Sequence, residues 1–84
     1  MPIVRMYSTL ICPYCMRAER LLNKKGVQVE KILVDMNPQE MLKMIEITKR
    51  RTVPQIFIGE RHVGGYDDLV ELDMAEELEP LLAQ

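Results

Sequence analysis

The chain has 84 residues, of which 48% are hydrophobic and 29% charged, and it reads as one small domain spanning residues 1–84. That length leaves no room for a second domain or a repeat array, and the composition is too apolar for a disordered segment. A formal charge of −2 argues against a nucleic-acid binder, no apolar run is long enough for a membrane-spanning helix, and residues 1–5 lack the core of an export signal, so the expected setting is the cytoplasm.

Ile3 to Tyr7 is short and mostly apolar and predicts a first strand. It leads through Ser8-Thr9-Leu10-Ile11 into Cys12-Pro13-Tyr14-Cys15. Pro13 suits the first turn of a helix, where its missing N–H costs nothing. Cys15, Ala18, Leu21 and Leu22 then recur at helical spacing, and Lys24-Lys25-Gly26 ends the helix with cations and a left-handed glycine. Val27 to Val34 predicts a second strand. Asn37-Pro38-Gln39-Glu40 starts a second helix, with Asn37 as cap and Glu40 able to close a capping box, and Lys49-Arg50-Arg51 closes it. Thr52-Val53-Pro54 opens a third strand, Gln55 to Ile58. Gly59-Glu60 turns a hairpin into a fourth, Arg61 to Val63. Gly64-Gly65 breaks the sheet, Asp67 or Asp68 caps a helix beginning at Leu69, and Met74 to Leu82 adds a last turn or two.

The order β-α-β-α-β-β-α predicts an α/β fold. The first crossover pairs parallel strands, the hairpin adds antiparallel ones, and a four-stranded mixed sheet is flanked by helices.

Two cysteines three residues apart cannot staple distant parts of a fold, so they point to chemistry. At a helix N-terminus the free N–H groups and about half a positive charge favour a thiolate at Cys12. A free thiol titrates near ~8.5, and motifs of this kind bring it to roughly 3.5–7. Cys15, one turn in and less exposed, can attack a mixed disulfide formed at Cys12. A zinc site is disfavoured, because the chain adds only His62 to the two cysteines. His62, after a tight turn, reads as a surface residue rather than a catalytic base. The seven Met residues read as core packing. Pro54 at a strand entrance implies an edge or a special turn. Residues 1–66 carry all 11 Lys and Arg against 6 acids, and residues 67–84 carry 7 acids and no base, which reads as a solvated acidic face.

Three motifs then resemble those of one family, in order and at family spacing: Cys12-Pro13-Tyr14-Cys15, Thr52-Val53-Pro54-Gln55-Ile56-Phe57-Ile58 and Gly64-Gly65-Tyr66-Asp67-Asp68-Leu69. The chain resembles a glutaredoxin of the small bacterial dithiol type. That resemblance implies the thioredoxin fold and glutathione-dependent reduction of protein disulfides and glutathione mixed disulfides, with glutathione as co-substrate, no metal, and a monomer. It implies Cys12 as nucleophile and Cys15 as resolving thiol. It also implies Pro54 as a cis proline, Val53 pairing its backbone with the cysteinyl part of glutathione, Tyr14 and Thr52 lining the groove, and Gly65, Tyr66, Asp67 and Asp68 holding the γ-glutamyl end. Lys49, Arg50 and Arg51 would favour the glycine carboxylate.

Thr9 stands where the family usually carries Lys, and Ile11 where a polar residue is common. The first departure implies weaker thiolate stabilisation and weaker glutathione capture. It keeps open a redoxin of the same shape reduced by thioredoxin reductase. A second alternative is an iron–sulfur scaffold, a dimer bridged by two Cys12 thiolates and two glutathiones, although the family associates Pro13 with members that do not assemble clusters. Thioredoxin itself is disfavoured, since the chain has no Trp.

Overall fold

Alternation along the first strand decides the layering of the molecule. In the computed structural model, which describes residues 2–84, β1 (Val4–Ser8) sends Val4 and Met6 to one face and Tyr7 to the other. Around it follow α1 (Pro13–Lys24), β2 (Val29–Leu33), α2 (Pro38–Thr48), β3 (Gln55–Ile58), β4 (Arg61–Gly64), α3 (Tyr66–Met74) and α4 (Leu78–Leu82).

The sheet order is β2-β1-β3-β4. β1 runs parallel to β2 and antiparallel to β3, and β4 pairs antiparallel with β3 at the edge. This is the mixed four-stranded sheet the sequence implies. One face carries the larger core: Val4, Met6, Ile56 and Ile58 from the sheet meet Cys15, Ala18 and Leu22 of α1, Leu69 of α3, and Leu78 and Leu82 of α4. The other face is covered by α2, where Met44 packs with Tyr7 and Val34, and Phe57 joins them.

Several boundaries differ from expectation for local reasons. β2 is shorter than Val27–Val34. Gly26, at φ +81°, turns the chain out of α1, and Val27 N–H still bonds Leu22 O at 3.1 Å. The second helix is capped by Asn37, whose Oδ1 accepts from Gln39 and Glu40, and it stops at Thr48 because Lys49 adopts a left-handed φ of 60°. The third helix begins at Tyr66 rather than Leu69, with Gly65 in the cap position, so neither Asp67 nor Asp68 is the cap residue itself. The C-terminal helical stretch is two helices, because Glu76 at φ 59° interrupts it. Methionine packing holds for Met6 and Met44 only in part of the set, since Met16, Met36 and Met74 are exposed. The acidic end is not simply solvated: Asp73 and Glu79 both reach Lys25 Nζ, at 2.8 and 3.0 Å, and their hydrogen bonds raise the Lys25 pKa.

The layering predicts where truncation hurts. Leu22 is fully buried and Leu42 is 68% exposed. Leu22→Ala should lower the unfolding free energy by about 2–5 kcal/mol in a urea titration, and Leu42→Ala should stay within about 0.5 kcal/mol. Comparable losses in both would contradict the assignment of the core face.

Candidate active site

Three chain segments meet at one end of the sheet: the turn from β1 into α1, the turn from α2 into β3, and the turn from β4 into α3. The first carries the sulfurs. Cys12 is the N-cap residue of α1, with extended backbone at φ −148° and ψ 100°, and Pro13 opens the helix proper. Its Sγ accepts a hydrogen bond from Cys15 N–H at 3.1 Å, and its carbonyl accepts from Met16 N–H at 3.0 Å. Sulfur therefore occupies the position an Asp or Ser oxygen takes in an ordinary cap. The first turn of α1 contains no acidic residue, whereas α2 has Glu40 and α3 has Asp67 and Asp68. A Cys12 thiolate would supply the anion that the first turn of α1 otherwise lacks.

The two cysteines are joined as a disulfide, with Cα atoms 5.2 Å apart. Cys15 is 3% exposed, as expected of the inner thiol, but Cys12 is also largely covered, at 8%. Exposure on this loop belongs to the neighbours Leu10, Ile11, Tyr14 and Met16.

The second and third segments form a groove of about 240 Å³. It is lined by Tyr14, Thr52, Val53, Pro54, Gly65, Tyr66, Asp67 and Asp68, all named from the sequence, and by Arg50. Cys12 and Cys15 line a different recess of about 330 Å³, together with Thr9, Leu10 and Met16. Thr9 thus lies beside the sulfurs and does not itself line the groove. Tyr14, between the two cysteines, bridges the regions. Its ring centroid is 6.1 Å from that of Tyr66, and the Arg17 guanidinium lies 5.3 Å above it. The Val53–Pro54 peptide is cis. Among the described residues, no protein hydrogen bond uses the Val53 N–H or C=O.

The third segment is shaped by a bulge. Phe57 pairs with His62 and Ile56 with Gly64, which leaves Val63 as an extra residue and re-aims the strand end toward Pro54. Gly64 takes φ +118°, and a Cβ there would collide with the Asp68 carboxylate and lie 3.1 Å from Arg50 Nη1. Asp68 Oδ2 accepts from Gly65 N–H at 2.8 Å and from Arg50 Nη1 at 3.0 Å. The Gly65 bond, then Arg50, hold its carboxyl below the usual range. Asp68 is therefore used internally, as a brace between the second and third segments, while Asp67 stays exposed.

Comparison with known proteins addresses the same residues. The glutaredoxin family model matches residues 4–63. The chain belongs to the glutaredoxin family. It is 47% identical to a glutaredoxin of Pseudomonas aeruginosa over 83 residues, covering 99% of each chain. It is also 47% identical to glutaredoxin 3 of Escherichia coli over 79 residues, covering 94% of this chain and 95% of that one. Among solved structures, the buckwheat glutaredoxin–glutathione complex superposes with a TM-score of 0.90 at 29% identity, covering 98% of this chain and 77% of the other. Family membership and the vicinal cysteine pair make the chain a thiol–disulfide oxidoreductase with the thioredoxin fold.

Sequence reasoning left out Gln55, which is completely buried, and misjudged His62, which is half-buried against it rather than on the surface. A polar residue directly after Pro54 in an otherwise apolar strand was the available signal.

The groove's geometry predicts unequal glycines. Gly64→Ala should destabilise by more than about 1 kcal/mol, because φ is positive and Asp68 blocks the Cβ. A Cβ at Gly65 would meet Pro54 O at 3.6 Å and Asp68 Oδ2 at 3.9 Å, both ordinary contacts. Gly65→Ala should shift thermal unfolding by no more than about 0.5 kcal/mol. The reverse order would contradict the bulge assignment.

Proposed function

We propose that residues 1–84 act as a single glutaredoxin domain in which Cys12 is the nucleophile and Cys15 the resolving thiol of glutathione-dependent disulfide reduction. The observation that carries the assignment is the Cys12 sulfur in the cap position of α1, accepting the Cys15 N–H, beside a groove with a charged end. Helix-end charge and an N–H bond stabilise a sulfur anion more than a neutral thiol, so they favour attack at Cys12 and departure from it.

Two routes follow. On a glutathionylated protein, the Cys12 thiolate attacks the glutathione sulfur, forms Cys12–S–S–glutathione and expels the protein thiolate, which takes a proton. A second glutathione thiolate attacks the bound glutathione sulfur, giving glutathione disulfide and Cys12 thiolate. On a protein disulfide, the Cys12 thiolate attacks one protein sulfur, forms a mixed disulfide with it and expels the other as a thiolate, which takes a proton. The Cys15 thiolate then attacks Cys12 Sγ, expels the protein thiol and leaves the Cys12–Cys15 disulfide, which two glutathiones reduce.

The groove's groups match glutathione, a tripeptide with two carboxylates and one ammonium. The unpaired Val53 N–H and C=O suit an extended peptide backbone. The first N–H groups of α3 suit the γ-glutamyl carboxylate. Asp67 is left to meet the ammonium, since Asp68 is engaged by Gly65 and Arg50. Arg50 uses Nη1 for Asp68 and keeps further N–H donors for the glycine carboxylate. Tyr14, Thr52, Pro54 and Tyr66 complete the walls. That the buckwheat relative is described as a glutathione complex supports the same ligand here. Both cysteines and the groove come from one chain, which supports a monomer. The need for a reducing glutathione pool supports the cytoplasm as the site of action. Disulfide-containing and glutathionylated proteins are the partners on this reading.

The two sulfurs should separate by mutation. Cys12→Ser should abolish turnover of both glutathionylated peptides and protein disulfides. Cys15→Ser should keep the first activity, which needs one thiol, and lose the second. Both are followed as NADPH consumption coupled through glutathione reductase, and equal loss in the two variants would contradict the roles.

A further inference from the structure

Gln55 follows Pro54 directly and is fully buried, yet the chemistry above gives it no part. Both ends of its amide are bonded. Nε2 donates to the Thr52 carbonyl at 3.0 Å and to Thr52 Oγ1 at 3.3 Å. Oε1 lies 2.8 Å from His62 Nε2. With the amide nitrogen committed to Thr52, the oxygen accepts and His62 Nε2 carries the proton and donates. The imidazole is itself fixed by stacking on Phe57, with ring centroids 4.9 Å apart and an interplanar angle of 27°. Phe57 is braced in turn by the edge of Tyr7, 6.1 Å away. Burial and then Arg50 hold the His62 pKa below its ordinary value, against the opposing pull of Asp68, which favours a neutral ring.

We infer that His62 is a positioning residue for glutathione recognition, acting through Gln55 to hold Thr52 and Val53 as a fixed wall of the groove. The inference rests on the proposal that the groove takes glutathione. His62 does not line the groove, whereas Thr52 and Val53 do. The link between them is a three-residue chain, His62 to Gln55 to Thr52, that crosses from the edge strand to the turn before β3. Without the imidazole donor, the buried Gln55 oxygen has no partner, and the cost of leaving it unsatisfied loosens the amide's hold on Thr52. The Thr52–Val53 turn is then released. The consequence falls on binding of the glutathione half and not on chemistry at Cys12, which sits on α1 and is held independently.

The test separates donor from shape. His62→Phe keeps a ring to stack on Phe57 and removes the N–H, and His62→Gln restores an N–H donor at similar reach. With a glutathionylated peptide at saturating glutathione, His62→Phe should raise KM roughly three- to tenfold and leave kcat within about twofold. Reduction of the Cys12–Cys15 bond by dithiothreitol should be unchanged. His62→Gln should stay close to the KM of the unsubstituted protein. Asp67→Ala, in the groove itself, is measured beside them. A KM rise in Asp67→Ala with none in His62→Phe overturns the inference and leaves the glutathione proposal standing, as does an equal KM rise in the Phe and Gln variants. No change of KM in any of the three overturns both. If His62→Phe does not fold, Gln55→Met removes the other side of the same bond and carries the same expected KM rise, and its absence overturns the inference.

Discussion

A single hydrogen bond, from the Cys15 N–H to the Cys12 sulfur, organises the reactive end of the molecule. A helix start leaves its first N–H groups without partners, and most proteins answer with an oxygen side chain. Here α2 does so through Asn37, and α3 has the Asp68 carboxylate, but α1 has only sulfur. The stability of α1 and the reactivity of Cys12 are thereby tied to one interaction. Pro13 reinforces the tie, since it supplies no N–H of its own and presets the first helical turn. The rest of α1 is anchored by Cys15, Ala18 and Leu22 in the larger core, so the sulfur rests on a rigid element.

The groove has a different origin. It is built from turns, and turns must be braced. Two braces share the work. Asp68 ties the start of α3 to Gly65 and to Arg50 before β3, and the bulge at Val63 brings the glycines within reach. His62 and Gln55 tie the edge strand to Thr52. The first joins residues 18 apart in sequence and the second residues 7 and 3 apart, and no buried side-chain nitrogen or oxygen among the described residues lacks a partner. Arg50 belongs to one brace and also lines the groove, which makes it the cation of this site. Thr9 lies in the recess with the sulfurs instead.

Much of this was legible in the sequence. The strand and helix order followed from apolar periodicity and from Pro and Gly at boundaries, because those residues restrict the backbone locally. All eight groove residues named by resemblance line one groove. What escaped was set by tertiary contact. The start of α3 moved to Tyr66 because Asp68 reaches back to Gly65, and no local rule says which Asp of a pair will do so. Glu76 broke the last helix without a Gly or Pro to announce it. Asp68 turned inward to Arg50, 18 residues away, which leaves Asp67 as the exposed acid of the pair. His62 looked like a surface residue because its partner, Gln55, is visible only once the hairpin is folded with its bulge.

The account turns on the claim that the α1 terminus stabilises negative charge on Cys12. Ultraviolet titration of the thiolate in the reduced Cys15→Ser variant isolates that sulfur. The account requires a Cys12 pKa well below the ~8.5 of a free thiol. A Cys12 pKa at or above about 8 would mean that the helix end does not activate the sulfur, and the central claim would be wrong.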